Sequence, residues 1–278
     1  MNLSSAVVTV TGAGGFIGGE VVRLAHAAGA EVHHTRDPEA ILQLPPDLVI
    51  HCAAPVDPSR DADEALMHRG IVELSVAVAE ACRETGARLV HVGTCEEYGD
   101  GPAPFREDQP PSPVSPYSRC KVEATQRLRQ MPGLRVTVAR PFLTYGPGQR
   151  GPRLIPSAIR AALASRTFEM TAGTQTREFN FVEDIARGLL ACRDDRVEGL
   201  VVNIGGGPEL RVIDVVRRIF GLCGAELDLI RTTRAPRIGE VERFLGDHER
   251  ARRLLAHQPR IGLEEGLART IEALRCAV

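Results

Sequence analysis

Short apolar and β-branched runs alternate with longer amphipathic stretches along the first half of the chain. The runs predict strands at Val7–Val10, Glu31–Thr35, Asp47–Cys52, Leu89–Val92 and Leu134–Ala139. The stretches between them predict helices, including Gly18–Ala28 and Ala65–Thr85. Buried strands separated by helices indicate right-handed βαβ crossovers and a parallel sheet. The pattern therefore predicts an α/β protein with a doubly wound parallel sheet.

The second half of the chain loses this strict alternation. It predicts a helix at Pro156–Ser165, a strand near Phe168–Thr171 and a helix at Val182–Ala191, followed by mixed short elements. We therefore expect a sheet domain over residues 1–165, to which residues 180–204 return. Residues 166–278 mainly form a smaller, interleaved α/β lobe.

A glycine-rich turn separates the first predicted strand from the first helix. Gly12 permits a tight turn, Gly15 lets the backbone approach a pyrophosphate, and Gly18 lets the helix pack closely on the strand. Phe16 and Ile17 open the helix, where unpaired N–H groups and the dipole favour an anion. This context predicts a Rossmann dinucleotide site, with a purely structural turn as the alternative.

The residues after the second strand bear on the choice of cofactor. Arg36 falls where an acidic residue would bind the adenosine ribose, and its guanidinium would instead pair with a 2′-phosphate. A shift of one residue places Asp37 there and favours NAD(H). The sequence favours NADP(H) and leaves NAD(H) open, and a surface Arg–Asp pair is the non-functional interpretation.

A tyrosine and a lysine stand four residues apart where a further helix begins. The spacing places Tyr117 and Lys121 on one helix face, and Lys121 is the single lysine among 34 basic residues. An ammonium about 4 Å from a phenol interacts by ~4 kcal/mol at an effective dielectric near 20, enough to lower the phenol pKa from ~10 toward ~7. The pair therefore predicts a proton donor for a carbonyl, although many such pairs are solvated helix faces.

Composition excludes several other classes of function. The 34 basic and 36 acidic residues give a net charge of −2, which offers no electrostatic reason to expect nucleic acid or an anionic membrane as partner. No apolar run approaches the roughly 18 residues of a spanning helix. The seven cysteines include no CxxC pair, which is typical of a reducing compartment and gives no metal site. We therefore expect a cytoplasmic protein.

Further motifs accompany the glycine turn and the Tyr-Lys pair. They are Ala53-Ala54 after the Asp47–Cys52 strand, Thr94 ahead of Tyr98-Gly99, the RPxxxYGPG segment Arg140–Gly148, the RDFxxVxD-like segment Arg177–Asp184 and the RxGD-like segment Arg237–Glu240. With these motifs the chain resembles the extended short-chain dehydrogenase/reductase family over nearly its whole length. Within that family it resembles the nucleotide-sugar epimerases, dehydratases and ketoreductases.

The resemblance implies roles for residues around the reacting sugar. Thr94 would hydrogen-bond the reacting carbonyl or hydroxyl, with Cys95 beside it at the substrate. Tyr117 would donate the proton, and Lys121 would lower the Tyr117 pKa and hold the nicotinamide ribose.

The resemblance also implies binding residues and an assembly. The backbone of Ala53 and Ala54 would lie near the cofactor. Arg177 and Arg237 would clamp the substrate pyrophosphate, a task suited to guanidinium groups, although each alone is equally typical of a surface ion pair. The family implies a homodimer.

Departures from the family pattern favour one reaction over the others. The 4,6-dehydratases carry Asp-Glu after the threonine, whereas this chain carries Cys95-Glu96. Glu96 is either an acid–base residue or a loop carboxylate. We expect NAD(P)H-dependent reduction of a nucleotide-linked 4-keto-6-deoxysugar, with Tyr117 as general acid. The alternatives are an epimerase or dehydratase with tightly bound NAD, and a non-catalytic NADP-binding regulator.

Overall fold

The computed structural model describes residues 3–56, 62–235 and 241–276. The strands in these ranges are β1 (Val7–Thr11), β2 (Glu31–Thr35), β3 (Leu48–His51), β4 (Arg88–Val92), β5 (Val136–Pro141), β6 (Thr144–Tyr145), β7 (Phe168–Glu169), β8 (Thr176–Glu178), β9 (Asn180–Phe181), β10 (Val201–Ile204), β11 (Glu209–Arg211), β12 (Ile230–Arg231) and β13 (Arg243–Phe244). The α-helices are α1 (Phe16–Ala27), α2 (Glu39–Gln43), α3 (Glu64–Met67), α4 (Leu74–Thr85), α5 (Pro116–Gln130), α6 (Leu154–Leu163), α7 (Val182–Ala191), α8 (Val212–Cys223), α9 (Glu249–Leu255) and α10 (Leu263–Arg275).

A six-stranded parallel sheet forms the centre of the structure. Its strand order is β10-β5-β4-β3-β1-β2, and each neighbouring pair is parallel. The chain crosses from β1 to β2 on one side and returns to β3 on the other side. Ligands of such sheets bind beyond the carboxyl ends of the strands at this reversal. The predicted doubly wound α/β sheet is confirmed, and the predicted ends of its first five strands differ from the observed ones by at most two residues.

Two apolar cores lie on opposite faces of this sheet. Val8, Val10 and Val90 point to a core that includes Ile185 and Leu189 of α7. Val49 and Leu89 point to the other core, against α4. Burial on both faces explains why the strands read as continuous apolar runs rather than as alternating ones.

A further apolar core joins α6, α8 and α10. Buried side chains at its centre include Ile159, Phe220 and Leu267. Short strands surround this core, in a three-stranded sheet of order β11-β8-β13 and two-stranded sheets β12-β7 and β6-β9. The division of the chain near residue 165 stays a prediction.

The long helix predicted over Ala65–Thr85 is interrupted by a π-helical turn at His68–Glu73, between α3 and α4. Gly70 lies in this turn, where a Cβ would come 2.7 Å from Cδ of Pro55. Beyond the turn, the buried Ser75 hydroxyl pairs with Nε2 of His51 at 3.0 Å. Such turns concentrate at functional sites. The periodicity of the sequence did not reveal it because the contact with Pro55 is made across the fold.

The glycine turn brings two backbone segments into direct contact. A Cβ on Gly18 would overlap the carbonyl oxygen of Gly12, whereas a Cβ on Gly14 would meet nothing within 4 Å. We expect Gly18→Ala to lower the free energy of unfolding by about 1–3 kcal/mol because the added methyl group displaces backbone. The matched variant Gly14→Ala should change it by less than about 0.5 kcal/mol. Urea unfolding at neutral pH measures both, and equal stability of the two variants would contradict the close approach.

Candidate active site

The glycine turn and the end of β3 meet at the carboxyl edge of the sheet. Gly12 has a φ of +74°, and a Cβ there would lie 2.7 Å from the backbone nitrogen of Ala53. The Ala53 N–H in turn faces Oγ1 of Thr11 at 3.4 Å. Ala54 packs beside the apolar cluster that contains Tyr117. The turn therefore lies against the segment that leads to the predicted catalytic residues.

Helix α1 presents an uncapped N-terminus at this turn. Gly15 is the N-cap residue and provides no side-chain acceptor, and the first turn, which begins with Phe16 and Ile17, contains no acidic residue. The positive end of the helix dipole and its unpaired N–H groups therefore suit an anion such as a pyrophosphate. These residues fit a dinucleotide cofactor.

The end of β2 places Arg36 and Asp37 at the exposed rim beside the turn. The backbone N–H of Asp37 donates to Oγ1 of Thr35 at 2.9 Å, and Oδ1 of Asp37 accepts the N–H of Glu39 at 3.0 Å. The Asp37 carboxylate is thus engaged at the start of α2. The Arg36 side chain extends into solvent from the neighbouring position.

Thr94 begins a short 3₁₀ helix, Cys95–Tyr98, directly after β4. Oγ1 of Thr94 accepts the N–H of Glu96 at 3.3 Å, and the N–H of Thr94 donates to Oε1 of Glu97 at 2.9 Å. This reciprocal capping fixes the backbone of Thr94. Thr94 also lies close enough to the Tyr117 hydroxyl to lower the Tyr117 pKa.

Helix α5 carries Tyr117 and Lys121 into the same region. Ser115 caps the helix in a reciprocal arrangement with Ser118, and Pro116 occupies the first turn, so the start of the helix is well determined. Nζ of Lys121 donates to the carbonyl oxygen of Val92 at 2.8 Å. The structure thus brings together the predicted Thr94, Tyr117 and Lys121.

The pKa of Tyr117 shifts in the direction opposite to the sequence prediction. Burial raises it above its ordinary value, and the negative charge of Glu96 raises it further, while the hydrogen bond with Thr94 lowers it. Burial lowers the pKa of Lys121 to about 8, and the charge of Glu97 opposes this shift. The expectation that the Tyr117 pKa is lowered toward neutrality is therefore wrong here, because the cost of burying a phenolate dominates.

Cys95 and Glu96 follow Thr94 as the first two residues of the 3₁₀ helix. Burial raises the pKa of Glu96, and Arg153 partly offsets the effect. Burial also raises the pKa of the Cys95 thiol, with further contributions from the charges of Glu96 and Glu178. Near neutral pH Cys95 is therefore a protonated thiol rather than an ionised group.

The structure describes one of the two predicted phosphate-binding arginines. Arg177 lies in β8, where Nη1 donates to the carbonyl oxygens of Thr176 at 2.8 Å and Val241 at 2.9 Å. Its guanidinium also lies 5.9 Å from the centre of the Phe244 ring. Arg237 lies outside the described residues. The phosphate role of both stays a prediction.

Sequence reasoning missed a buried ion pair behind Thr94. Oε2 of Glu97 accepts a hydrogen bond from Nη2 of Arg140 at 2.6 Å, and both side chains are almost fully buried. The guanidinium of Arg140 also lies 4.6 Å from the centre of the Tyr98 ring. Glu97 and Arg140 both lie inside sequence motifs described above. The signal in the sequence was that each is a charged residue close to a segment predicted to be buried.

Within the ranges that the structure describes, three or more His, Cys, Asp or Glu side chains nowhere gather as they would around a metal ion. In the same ranges, each helix is too short or too polar to cross a bilayer.

A doubly wound parallel sheet, an uncapped helix N-terminus and a buried Tyr-Lys pair define an NAD(P)-dependent oxidoreductase of the short-chain dehydrogenase/reductase type. The chain belongs to the NAD dependent epimerase/dehydratase family, whose model matches residues 8–205.

Several characterised proteins are similar over most of their length. A UDP-glucose 4-epimerase of Mycolicibacterium smegmatis is 31% identical over 248 residues, which cover 84% of this chain and 78% of that protein. A GDP-6-deoxy-D-mannose reductase of Pseudomonas aeruginosa is 27% identical, with 93% of both chains covered. The solved structure of MoeE5 in complex with UDP-glucuronic acid and NAD is 29% identical and has a TM-score of 0.88, covering 98% of this chain and 100% of that chain.

The lowered pKa of Lys121 makes stability depend on pH in a defined window. Between about 8 and the ordinary value of 10.5, the unfolded chain binds more protons at this residue than the folded chain does. The wild-type free energy of unfolding, measured relative to Lys121→Met, should therefore rise with pH in this window, by on the order of 3 kcal/mol. Urea unfolding from pH 6.5 to 10.5 tests this, and a difference that does not vary with pH would contradict it.

Proposed function

We propose that this protein reduces a nucleotide-linked 4-keto-6-deoxysugar with NADPH. The observation that carries the proposal is the group formed by Thr94, Tyr117 and Lys121, which lies beside the glycine turn that fits a dinucleotide. The similarity to a GDP-6-deoxy-D-mannose reductase across 93% of both chains supports the same class of reaction. The reduced nicotinamide would supply a hydride to the carbonyl carbon.

The remaining steps belong to residues of this chain. The Thr94 hydroxyl, held by its backbone contacts, donates a hydrogen bond to the substrate carbonyl oxygen and orients the carbonyl. Because its pKa is raised, Tyr117 is protonated at neutral pH and can donate its O–H proton to the oxygen that becomes the carbinol. The Lys121 ammonium then stabilises the phenolate until solvent returns a proton.

Lys121 and Arg36 are the residues that we assign to the cofactor beyond the glycine turn. Lys121 would hold the nicotinamide ribose, and Arg36 would pair with the 2′-phosphate of NADPH. Asp37 is already engaged by the N–H of Glu39, which supports Arg36 as the ribose-side residue and hence NADP(H) over NAD(H).

Cys95 supports reduction rather than dehydration. Its thiol is buried and protonated, and it stands where the resemblance gives the dehydratases an aspartic acid. Loss of water requires an acid at this position that can donate its proton to a hydroxyl leaving group. A thiol with a raised pKa is a poor replacement.

Glu96 is the observation that favours the second candidate, an epimerase or dehydratase with tightly bound NAD. Its pKa is raised and its charge acts on Tyr117, which supports a role in exchanging a proton with a sugar carbon. The similarity to a UDP-glucose 4-epimerase is consistent with this class. In either case we propose a nucleotide-sugar substrate, a homodimer and a cytoplasmic location.

Cofactor consumption distinguishes the two candidates. With a panel of nucleotide 4-keto-6-deoxysugars, we expect stoichiometric NADPH oxidation, followed as loss of the reduced-nicotinamide absorbance, and an alcohol identified by NMR. Tyr117→Phe should lower turnover by about 10²–10⁴-fold because the proton donor is lost. Tyr145→Phe is the matched control, since its buried hydroxyl donates to the Leu263 carbonyl oxygen at 3.3 Å. Conversion of a nucleotide sugar without net NADPH loss, by protein that holds NAD⁺ firmly, would establish the second candidate.

The choice of cofactor depends on Arg36. We expect Arg36→Ala to weaken NADPH binding by about 10–100-fold and NADH binding much less, because charge-assisted hydrogen bonds to the 2′-phosphate are lost. Fluorescence titration of both cofactors measures this, with the exposed Arg129→Ala as control. Equal losses for both cofactors would remove Arg36 from the ribose pocket.

A further inference from the structure

One face of α5 runs along the end of β4 and the segment that follows it. Lys121 donates to the Val92 carbonyl oxygen at 2.8 Å, and Oγ1 of Thr125 donates to Oε2 of Glu97 at 3.1 Å. Tyr117 stands one turn before Lys121, near Thr94. The helix residues stand four apart, so they form one line along the helix. Glu97 is therefore attached one turn beyond Lys121.

The Glu97 carboxylate is completely buried, and both of its oxygens accept hydrogen bonds. Oε1 accepts the N–H of Thr94 at 2.9 Å, and Oε2 accepts Nη2 of Arg140 at 2.6 Å as well as the Thr125 hydroxyl. Gly93 leaves room for this carboxylate, since a Cβ at that position would come 2.5 Å from Oε1. The carboxylate is thus held in one position by a backbone, a guanidinium and a hydroxyl donor.

The buried ammonium of Lys121 needs a counter-charge, because its hydrogen-bond partner Val92 is a neutral carbonyl. Titratable groups that interact electrostatically with Lys121 include His51, Cys52, His91 and Glu97. Burial lowers the pKa of His51 to about 3 and that of His91 well below its ordinary value, and burial raises the pKa of Cys52 to about 12. His51, His91 and Cys52 are therefore neutral at pH 7. Of the four groups, Glu97 is the one that supplies a negative charge near Lys121.

We propose that Glu97 is a positioning residue of this active site, whose buried carboxylate is the counter-charge of Lys121 while it also holds the Thr94 backbone and pairs with Arg140. It acts through Lys121 and Thr94 and does not touch the substrate. The proposal rests on the role given to Lys121 under the proposed function. Its charge keeps Lys121 cationic near neutral pH, which the stabilisation of a Tyr117 phenolate requires.

The single lysine of the chain makes the charge of Lys121 directly measurable. Protein labelled with [ε-¹³C]lysine, produced with a lysine-free purification tag, gives one side-chain signal whose shift reports protonation. The wild-type midpoint should lie at about 8. In Glu97→Gln/Arg140→Gln, which removes both charges and keeps an amide pair, the midpoint should fall by about one pH unit or more. The double substitution avoids an unpaired buried arginine.

Glu123→Gln is the matched control, since it removes an acidic charge two residues from Lys121 on the half-exposed face of α5. It should leave the Lys121 midpoint unchanged. The alkaline limb of kcat/KM should move with the NMR midpoint in each variant, whereas a merely structural role would lower activity without moving either.

An unchanged midpoint in a folded double variant would overturn the proposal. If the double variant does not fold, the wild-type titration decides. A midpoint near 5–6, as found for buried lysines that lack a counter-charge, would overturn it, and a midpoint near 8 would support it. The titration requires neither substrate nor cofactor, so a wrong sugar class or cofactor would leave its result intact.

Discussion

The burial of one ammonium group constrains the arrangement of the whole active site. The side chain of Lys121 extends from α5 toward the sheet and is buried there. A charge at such a place is costly unless an acceptor and an opposite charge are close. The Val92 carbonyl supplies the acceptor at the end of β4, and the cap at Ser115 determines which turn of the helix carries the lysine. A second buried charge at Glu97 then requires a third at Arg140. The predicted catalytic residues on α5 and after β4 therefore depend on the buried Glu97–Arg140 pair.

The local sequence predicts the strands of the sheet well and the helices that connect them less well. Strands covered on both faces appear as apolar runs, so β1 to β5 were predicted to within one or two residues. The helix before β4 was predicted as regular because apolar spacing does not distinguish an α turn from a π turn. Within the π turn Gly70 packs on Pro55, a contact between residues that approach only in the folded chain.

The same limit applies to the active site. Motif spacing located Thr94, Tyr117 and Lys121, because their positions relative to strand and helix ends follow from local structure. The direction of the Tyr117 pKa shift was predicted wrongly, since a pairwise estimate includes the nearby ammonium but omits the cost of burial. The partnership of Glu97 with Arg140 joins residues 43 positions apart and depends on the pairing of β4 with β5.

The π turn at His68–Glu73 carries a consequence for how this helix tolerates insertion and deletion. A π turn holds about one residue more than an α turn of the same rotation, so removing one residue there would produce a regular helix whose later residues face nearly the same way. Ser75 would still face His51, and the apolar side of α4 would stay on the sheet. Removing one residue within α4 would instead rotate everything beyond it by about 100°. Homologues that differ in length before β4 should therefore gain or lose a residue in the loop or in this turn and not within α4.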